Sequence, residues 1–217
     1  MQLVSVNTGP LRDPAYADAR TAIDKRPAGG PVAVRAPGPK GEGGSGLVTD
    51  AIGDRRRHGG DDQAVYAYAR EDLDEWERAL GRELAPGLFG ENLTTSGIDV
   101  NGALVGERWR IGADVLLEVT SPRVPCRTFA GRLGERGWVK RFTAAALPGA
   151  YLRVLEPGEV RAGDAIAVEH RPGHDVTVAL VFRAVTTEPG LLPRVAAAGR
   201  EALHPEVWRK VGNRTSG

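Results

Sequence analysis

Short runs in which apolar and polar residues alternate predict a protein built mainly from strands. Residues 2–6 alternate and then reach Gly9-Pro10, which predicts a first strand followed by a turn. Similar runs between Gly- and Pro-containing turns predict strands over residues 32–34, 64–68, 109–111, 115–119, 151–155 and 165–168. The 109–111 and 115–119 runs are close enough to form a hairpin. Many short strands of this kind favour a barrel or a bent sandwich.

A helical pattern interrupts the strands once in the first 172 residues. Leu73, Trp76 and Leu80 lie on one face of a predicted helix over residues 71–80, which Gly81 ends. We therefore expect a mainly β fold with some α structure, of the α+β class, with short peripheral helices around the strands.

The last 45 residues have a different, helical pattern. Val176, Leu180 and Val185 recur at helical spacing, and a second helix is predicted over residues 191–198 before Gly199. A third is predicted to start at Pro205. The chain is thus predicted to have a β domain over 1–172 and a small three-helix extension over 173–217.

Composition excludes several classes of protein. Hydrophobic residues make up 41% of the 217 and charged residues 26%, and no stretch approaches the roughly 18 apolar residues of a membrane span. The start of the chain lacks the features of a signal peptide, so we expect a cytoplasmic protein with no membrane partner. A net charge of +1 with interspersed signs argues against nucleic acid as a partner.

Cys126 is the only cysteine in the chain, so neither an intrachain disulfide nor a cysteine cage for a metal can form. It ends the run Ser-Pro-Arg-Val-Pro-Cys, and Arg123 and Arg127 flank it on either side. A stiff, positively charged turn favours a thiolate that could hold a metal. The alternative is a buried cysteine that packs as a small hydrophobe. Because Cys126 follows a proline, we place it at a strand exit and not at a helix N-terminus, which argues against a cysteine protease.

Two further segments combine glycines with chemically active side chains. In the first, paired glycines follow Arg57 and His58, so the backbone at Gly59 can approach a ligand closely while the imidazole stays available. In the second, Gly90 precedes Glu91 and Asn92 on a short turn rich in hydrogen-bonding groups. The first is equally compatible with a surface turn. The second is equally compatible with a strand entry in which both side chains cap backbone groups.

A third cluster combines Arg153 with Lys140 and Arg141, which could also be ordinary exposed charge. The long segment over residues 28–46 is dominated by Gly and Pro, and loops of this kind are usually functional or disordered. The chain has no phosphate-binding loop, dinucleotide fingerprint or nucleophile elbow.

In their joint order, these segments resemble the MOSC domain, the family named after the C-terminal part of molybdenum cofactor sulfurase. The resemblance rests on motifs spread from about Leu3 to Arg171, namely residues 21–27, 57–66, 89–93, 121–126, 151–155, 158 and 163–164. The trailing helices look like the extension of the bacterial YiiM-like branch. One departure lies before His58, where this branch usually has Gln and this chain has Ile52.

The resemblance implies a β-barrel that binds the molybdenum cofactor (molybdopterin), with the Cys126 thiolate as a ligand to molybdenum. Similar proteins are oxidoreductases that reduce small N-hydroxylated compounds, such as hydroxylamines and N-hydroxylated bases, to amines or amidines. Since the chain has no iron–sulfur or flavin motif, we expect an external electron donor protein. The helical tail could dock that donor, close the end of the barrel or form a homodimer contact.

The resemblance also implies roles for individual residues. His58, Glu91 and Asn92 are expected at the open face of the site, with His58 as proton donor because its ordinary pKa is near neutral. The residues expected to contact the cofactor are Lys25, Arg57, Gly59, Gly90, Arg123 and Arg153. Two other functions use the same residues: a sulfur carrier or sulfurtransferase with a Cys126 persulfide, and a cofactor carrier that reduces nothing.

Overall fold

The computed structural model describes residues 1–215, and within them the chain forms ten strands and six α-helices. The strands are β1 Gln2–Thr8, β2 Arg26–Pro27, β3 Val32–Val34, β4 Val65–Ala69, β5 Leu93–Ser96, β6 Arg108–Ile111, β7 Val115–Pro122, β8 Ala150–Glu156, β9 Gly158–Val160 and β10 Ile166–His170. The helices are α1 Arg70–Leu80, α2 Arg127–Leu133, α3 Trp138–Ala145, α4 Val178–Thr186, α5 Leu192–Val195 and α6 Pro205–Thr215. The predicted α+β class is confirmed.

Eight strands form one mixed sheet in the order β10-β6-β7-β8-β4-β5-β1-β2, and β3 pairs with β9 in a second, two-stranded sheet. Within the large sheet β4 and β5 are parallel, and the other paired neighbours are antiparallel. The predicted hairpin is confirmed as β6 and β7, with Ile111 opposite Val115.

The large sheet curls, but its strand ladders do not close into a barrel within residues 1–215. The starts of β1 and β10 approach each other, because the Ile166 amide donates to the Met1 carbonyl at 3.0 Å and the Leu3 amide to the Asp164 carbonyl at 2.8 Å. A single isolated bridge, Gln2 with Ala165, links the two strands there. The barrel expectation therefore needs correction to a curled sheet with incomplete closure.

The two faces of β4 explain the layers of the fold. Val65 and Ala67 point into the apolar core inside the curled sheet, where Trp109 and Leu152 are also fully buried. The alternating Tyr66 and Tyr68 point outward. They help to form the aromatic cluster, a second core beneath α1, α2 and α3.

The aromatic cluster comprises Tyr66, Tyr68, Trp76, Phe89, Phe129, Trp138, Phe142 and Phe182, all of them buried. Phe89 packs edge-on against Phe129 and Trp138 at ring-centroid distances of 5.1 and 5.5 Å, a favoured geometry for aromatic pairs. The strand pattern did not predict α2 and α3, which this cluster holds against the sheet. The start of α2 is the segment that carries Cys126.

The predicted C-terminal helices are present. Thr177 caps α4 by accepting a hydrogen bond from the Leu180 amide at 3.1 Å. The predicted second helix is shorter than expected, since α5 is a single turn between two 3-10 turns. These helices share a buried cluster with Val105 of the β region. The boundary at residue 172 stays a prediction.

The Gly- and Pro-rich segment 28–46 packs closely against the rest of the chain. Its predicted strand is confirmed as β3, which pairs with β9. The Gly46 amide donates to the Ala64 carbonyl at 2.7 Å, and the Gly60 amide donates to the Gly44 carbonyl at 3.1 Å. This segment therefore covers the turn that carries His58. No helix in residues 1–215 has the length and apolar character needed to cross a membrane.

Candidate functional site

Cys126 lies at the start of α2, where it is the N-cap residue. Strand β7 ends at Pro122, three residues follow, and the Cys126 carbonyl accepts the first helical hydrogen bond from the Ala130 amide at 3.0 Å. The expectation that Cys126 is not at a helix N-terminus was therefore wrong. Its side chain is partly exposed and packs against the edge of the aromatic cluster. Cys126 is therefore neither fully buried nor fully exposed.

Arg123 is a buried cation without a carboxylate partner. It is 7% exposed, and its guanidinium lies over the rings of Phe129 and Tyr66, with its central carbon 4.6 and 5.1 Å from the ring centroids. Within residues 1–215, no Asp or Glu forms an ion pair with it, and its Nε has no hydrogen-bond partner. Burial of an unpaired charge costs free energy, and stacking on two rings offsets part of that cost.

The electrostatics place Cys126 near Arg123. Burial acts to lower the pKa of Arg123, but nearby acidic groups together outweigh it and raise the pKa. Among these groups Tyr151 and Tyr66 have larger effects than Cys126. Tyr151 comes from β8, where it is paired with Ser121 of β7. Burial also raises the pKa of Tyr151, and the Arg123 charge opposes that rise. The structure thus groups a thiol, a guanidinium and a phenol, and Tyr151 is a member that sequence reasoning missed.

His58 lies within electrostatic reach of this group and is predominantly neutral at pH 7. Burial, followed by the charge of Arg123, lowers the pKa of His58 to about 4, although Asp54 acts in the opposite direction. The expectation of a proton donor with a near-neutral pKa therefore needs correction. A neutral imidazole offers one N–H donor and one acceptor.

Gly59, beside His58, and Gly90, beside Glu91, both lie against other atoms of the protein. Gly59 has φ 76°, and a Cβ there would lie 2.6 Å from the Gly44 carbonyl oxygen. Gly90 also has a positive φ, and a Cβ there would lie 2.9 Å from the side chain of Ile23. Both glycines are thus explained by contacts within the chain, and no ligand is needed to account for them.

A second buried group centres on Asp50, which sequence reasoning missed. Its carboxylate forms an ion pair with Lys25, and the two side chains are 0% and 6% exposed. It also accepts hydrogen bonds from Asn92 Nδ2 at 2.9 Å and Ser45 Oγ at 2.8 Å. Asn92 Oδ1 in turn accepts from the Tyr66 amide at 3.1 Å. Lys25 and Asn92 are therefore engaged inside the protein, which corrects the open-face position expected for Asn92.

Glu91 is also fully buried and does not lie at an open face. Its carboxylate accepts hydrogen bonds from the Gly87 amide, from the Phe89 amide at 3.1 Å and from Thr94 Oγ1 at 2.9 Å. Burial raises its pKa, and these hydrogen bonds act against the rise. The Glu91 side chain therefore caps backbone groups, as in the strand-entry alternative of the sequence analysis. Its hydrogen bonds fix the loop between α1 and β5.

Arg57 and Arg153, the other two arginines expected to contact the cofactor, differ in exposure and in their partners. The Arg57 side chain is 83% exposed, and its nearest carboxylate is Asp54 at 3.6 Å, so its guanidinium is accessible to a ligand. Arg153 forms ion pairs with Asp62 at 2.7 Å and with Glu118 at 3.3 Å. It also donates to the carbonyl of Glu201 at 2.7 Å. Its expected cofactor contact needs correction, because its guanidinium joins the sheet to the segment before α6.

Lys140 and Arg141 lie on α3, where Arg141 contacts Glu135 at 3.8 Å. Arg153 instead contacts Asp62 and Glu118. The structure therefore does not bring the third predicted cluster together. It does bring together Cys126, Arg123 and Tyr151, with His58 in electrostatic reach. Sequence reasoning had a signal for Tyr151, since it opens the predicted strand 151–155, but no signal for the Lys25–Asp50 pair.

Comparison with known proteins gives consistent matches. The sequence profile described as MOSC domain matches residues 54–167. The uncharacterized protein YflK of Bacillus subtilis is 30% identical over 95% of this chain and 90% of its own length. A protein named Reductase from Gibberella moniliformis is 32% identical over 58% of this chain, but the match spans only 23% of that protein.

A solved structure is also similar over nearly the full chain. The crystal structure of YiiM from Geobacillus stearothermophilus has a TM-score of 0.77 and 25% sequence identity. The match covers 98% of this chain and 98% of that one, so it includes the C-terminal helices.

Proposed function

The chain belongs to the MOSC domain family, and on that premise we propose that it is an oxidoreductase that holds the molybdenum cofactor and reduces N-hydroxylated compounds. One observation carries the proposal: a partly exposed thiol, Cys126, lies beside a buried guanidinium, Arg123, that has no carboxylate partner within residues 1–215. The name of the fungal relative, Reductase, agrees with the proposed reaction class.

The residues fit the proposed cofactor. Molybdopterin carries a phosphate and two sulfurs that bind the metal, so its site needs a cation and can use a soft protein ligand. Within residues 1–215, Arg123 supplies a cation that forms no ion pair and whose Nε has no hydrogen-bond partner, and Cys126 supplies the sulfur. Arg57 is exposed and available for the phosphate. Lys25 would not contact the cofactor directly, since its ammonium is already paired with Asp50.

The proposed reaction converts R–NHOH, two electrons and two protons into R–NH₂ and water. When bound, the cofactor would supply the metal centre at which the two-electron reduction takes place. The protein would orient the substrate beside Cys126, and the neutral His58 could hydrogen-bond to it as donor or acceptor. Electrons would come from a separate redox protein, and we expect the reaction to take place in the cytoplasm.

The test is expression in a host that makes the cofactor, followed by metal analysis and an activity assay with benzamidoxime and reduced methyl viologen. We expect about one molybdenum per chain, and loss of both metal and activity in Cys126→Ser. Val124→Ala is the matched control, because Val124 lies on the same turn and is 51% exposed. It should retain both.

Full molybdenum and full activity in Cys126→Ser would overturn the proposal. Intact-protein mass measured after exposure to a sulfur donor tests the sulfurtransferase alternative. A stable gain of one sulfur at Cys126 with no metal bound would favour sulfur transfer over reduction. Bound molybdenum with no turnover for any N-hydroxylated compound would favour a cofactor carrier.

A further inference from the structure

Three tyrosines lie side by side next to the site, and their hydroxyl groups have different partners. The Tyr66 hydroxyl donates to the Pro148 carbonyl at 2.8 Å, and the Tyr68 hydroxyl donates to the Leu147 carbonyl at 2.9 Å. The protons of these two groups are therefore committed inside the protein. The Tyr151 hydroxyl, in contrast, donates to no carbonyl or carboxylate within residues 1–215. The residue is partly exposed.

The Arg123 guanidinium lies within electrostatic reach of the Tyr151 hydroxyl, and both residues pack against the ring of Tyr66. A guanidinium has N–H donors and no acceptor, so Arg123 cannot take the tyrosine proton. The Tyr151 O–H is therefore free to donate to a third group. A ligand that enters beside Cys126 would offer the missing acceptor.

The Tyr151 ring is held firmly. It packs against Tyr66 with ring centroids 5.1 Å apart, and its carbonyl accepts a hydrogen bond from Thr120 Oγ1 at 3.1 Å. Pairing of Tyr151 with Ser121 in the β7–β8 ladder fixes the backbone. A hydroxyl fixed in this way loses little conformational entropy when it binds a ligand.

We propose that the Tyr151 hydroxyl donates a hydrogen bond to the N–O oxygen of the substrate, and that it thereby distinguishes N-hydroxylated compounds from their reduced products. The inference rests on the proposed function, and it adds a substrate-binding residue and a basis for selectivity. The reduced product lacks that oxygen, so it would leave the Tyr151 hydroxyl without its acceptor. Product binding would be weakened and product release favoured.

The test measures dissociation constants for 6-hydroxylaminopurine and adenine by calorimetry, on molybdenum-loaded protein with no electron donor. These two neutral bases differ by one oxygen. We expect wild-type protein to prefer the hydroxylated base, and Tyr151→Phe to lose about fivefold of that preference, as for one neutral hydrogen bond. Adenine binding should change less than twofold, and the molybdenum content should stay at the wild-type level.

Tyr68→Phe is the matched control, because it removes a neighbouring hydroxyl whose proton is already donated to Leu147. It should keep the wild-type preference. An unchanged preference in fully loaded Tyr151→Phe would overturn the inference, while turnover of 6-hydroxylaminopurine by wild-type protein would still uphold the proposed function. If loaded wild-type protein neither binds nor reduces either 6-hydroxylaminopurine or benzamidoxime, the proposed function fails and the Tyr151 inference fails with it. If it reduces benzamidoxime but does not prefer the hydroxylated base over adenine, the Tyr151 inference alone fails.

Discussion

Replacing His58 by Gln tests the electrostatic environment that the site gives to its imidazole. The folded protein holds the pKa of His58 at about 4, mainly through burial and then through the charge of Arg123. In the unfolded chain the same group should titrate near 6.5. Between these two values the unfolded state binds a proton that the folded state does not bind. The contribution of His58 to stability is therefore fully present above about pH 6.5 and is lost progressively as the pH falls towards 4.

The size of this effect follows from the two pKa values. From about pH 7.5 to about pH 5, the linkage relation gives a loss of roughly 2 kcal/mol in the free energy of unfolding. Below about pH 4 both states are protonated, and the loss levels off at roughly 3 kcal/mol. His58→Gln removes the titrating group but keeps a polar amide, so the variant should not show this part of the loss.

Urea denaturation of both proteins at the two pH values measures the difference directly. Other shifted groups, such as Asp72, whose pKa burial raises to about 6, are present in both proteins and cancel in the comparison. We expect wild-type protein to lose roughly 2 kcal/mol more than His58→Gln between about pH 7.5 and about pH 5. An identical loss in both proteins would show that His58 does not have the depressed pKa described above.

Two further predictions concern charges that the structure pairs internally. Asp50→Asn leaves the Lys25 ammonium buried without its anion. The free energy of unfolding, measured by urea denaturation, should therefore fall by about 3–5 kcal/mol. A loss below about 1 kcal/mol would contradict the buried pair. Arg153→Gln removes the hydrogen bonds to the segment before α6. Amide hydrogen exchange over residues 199–206 should therefore become faster, while the molybdenum content stays unchanged. Loss of the metal in this variant would instead indicate that Arg153 contacts the cofactor.

The period of the hydrophobic pattern was sufficient to predict most strands, α1 and the C-terminal helices. It failed for α2 and α3 because these helices are only seven and eight residues long. Their order depends on Phe129, Trp138 and Phe142 packing into the aromatic cluster, which brings together residues distant in the chain. The same gap in the prediction put Cys126 at a strand exit, although it starts α2.

The site could be predicted in part. The chain order of Cys126, Arg123 and His58 was enough to name them, since short motifs carry that information. Which cation lacks an ion-pair partner depends on tertiary contacts: Lys25 is paired with Asp50, which is 25 residues away, whereas Arg123 has no such partner within residues 1–215. The pKa of His58 depends equally on burial that a sequence does not reveal.

The most direct test of the central claim is X-ray absorption at the molybdenum edge of the loaded wild-type protein. If the Cys126 thiolate binds the metal, the spectrum should show one more sulfur neighbour than the cofactor itself supplies. A spectrum with no sulfur neighbour beyond those of the cofactor would contradict the claim.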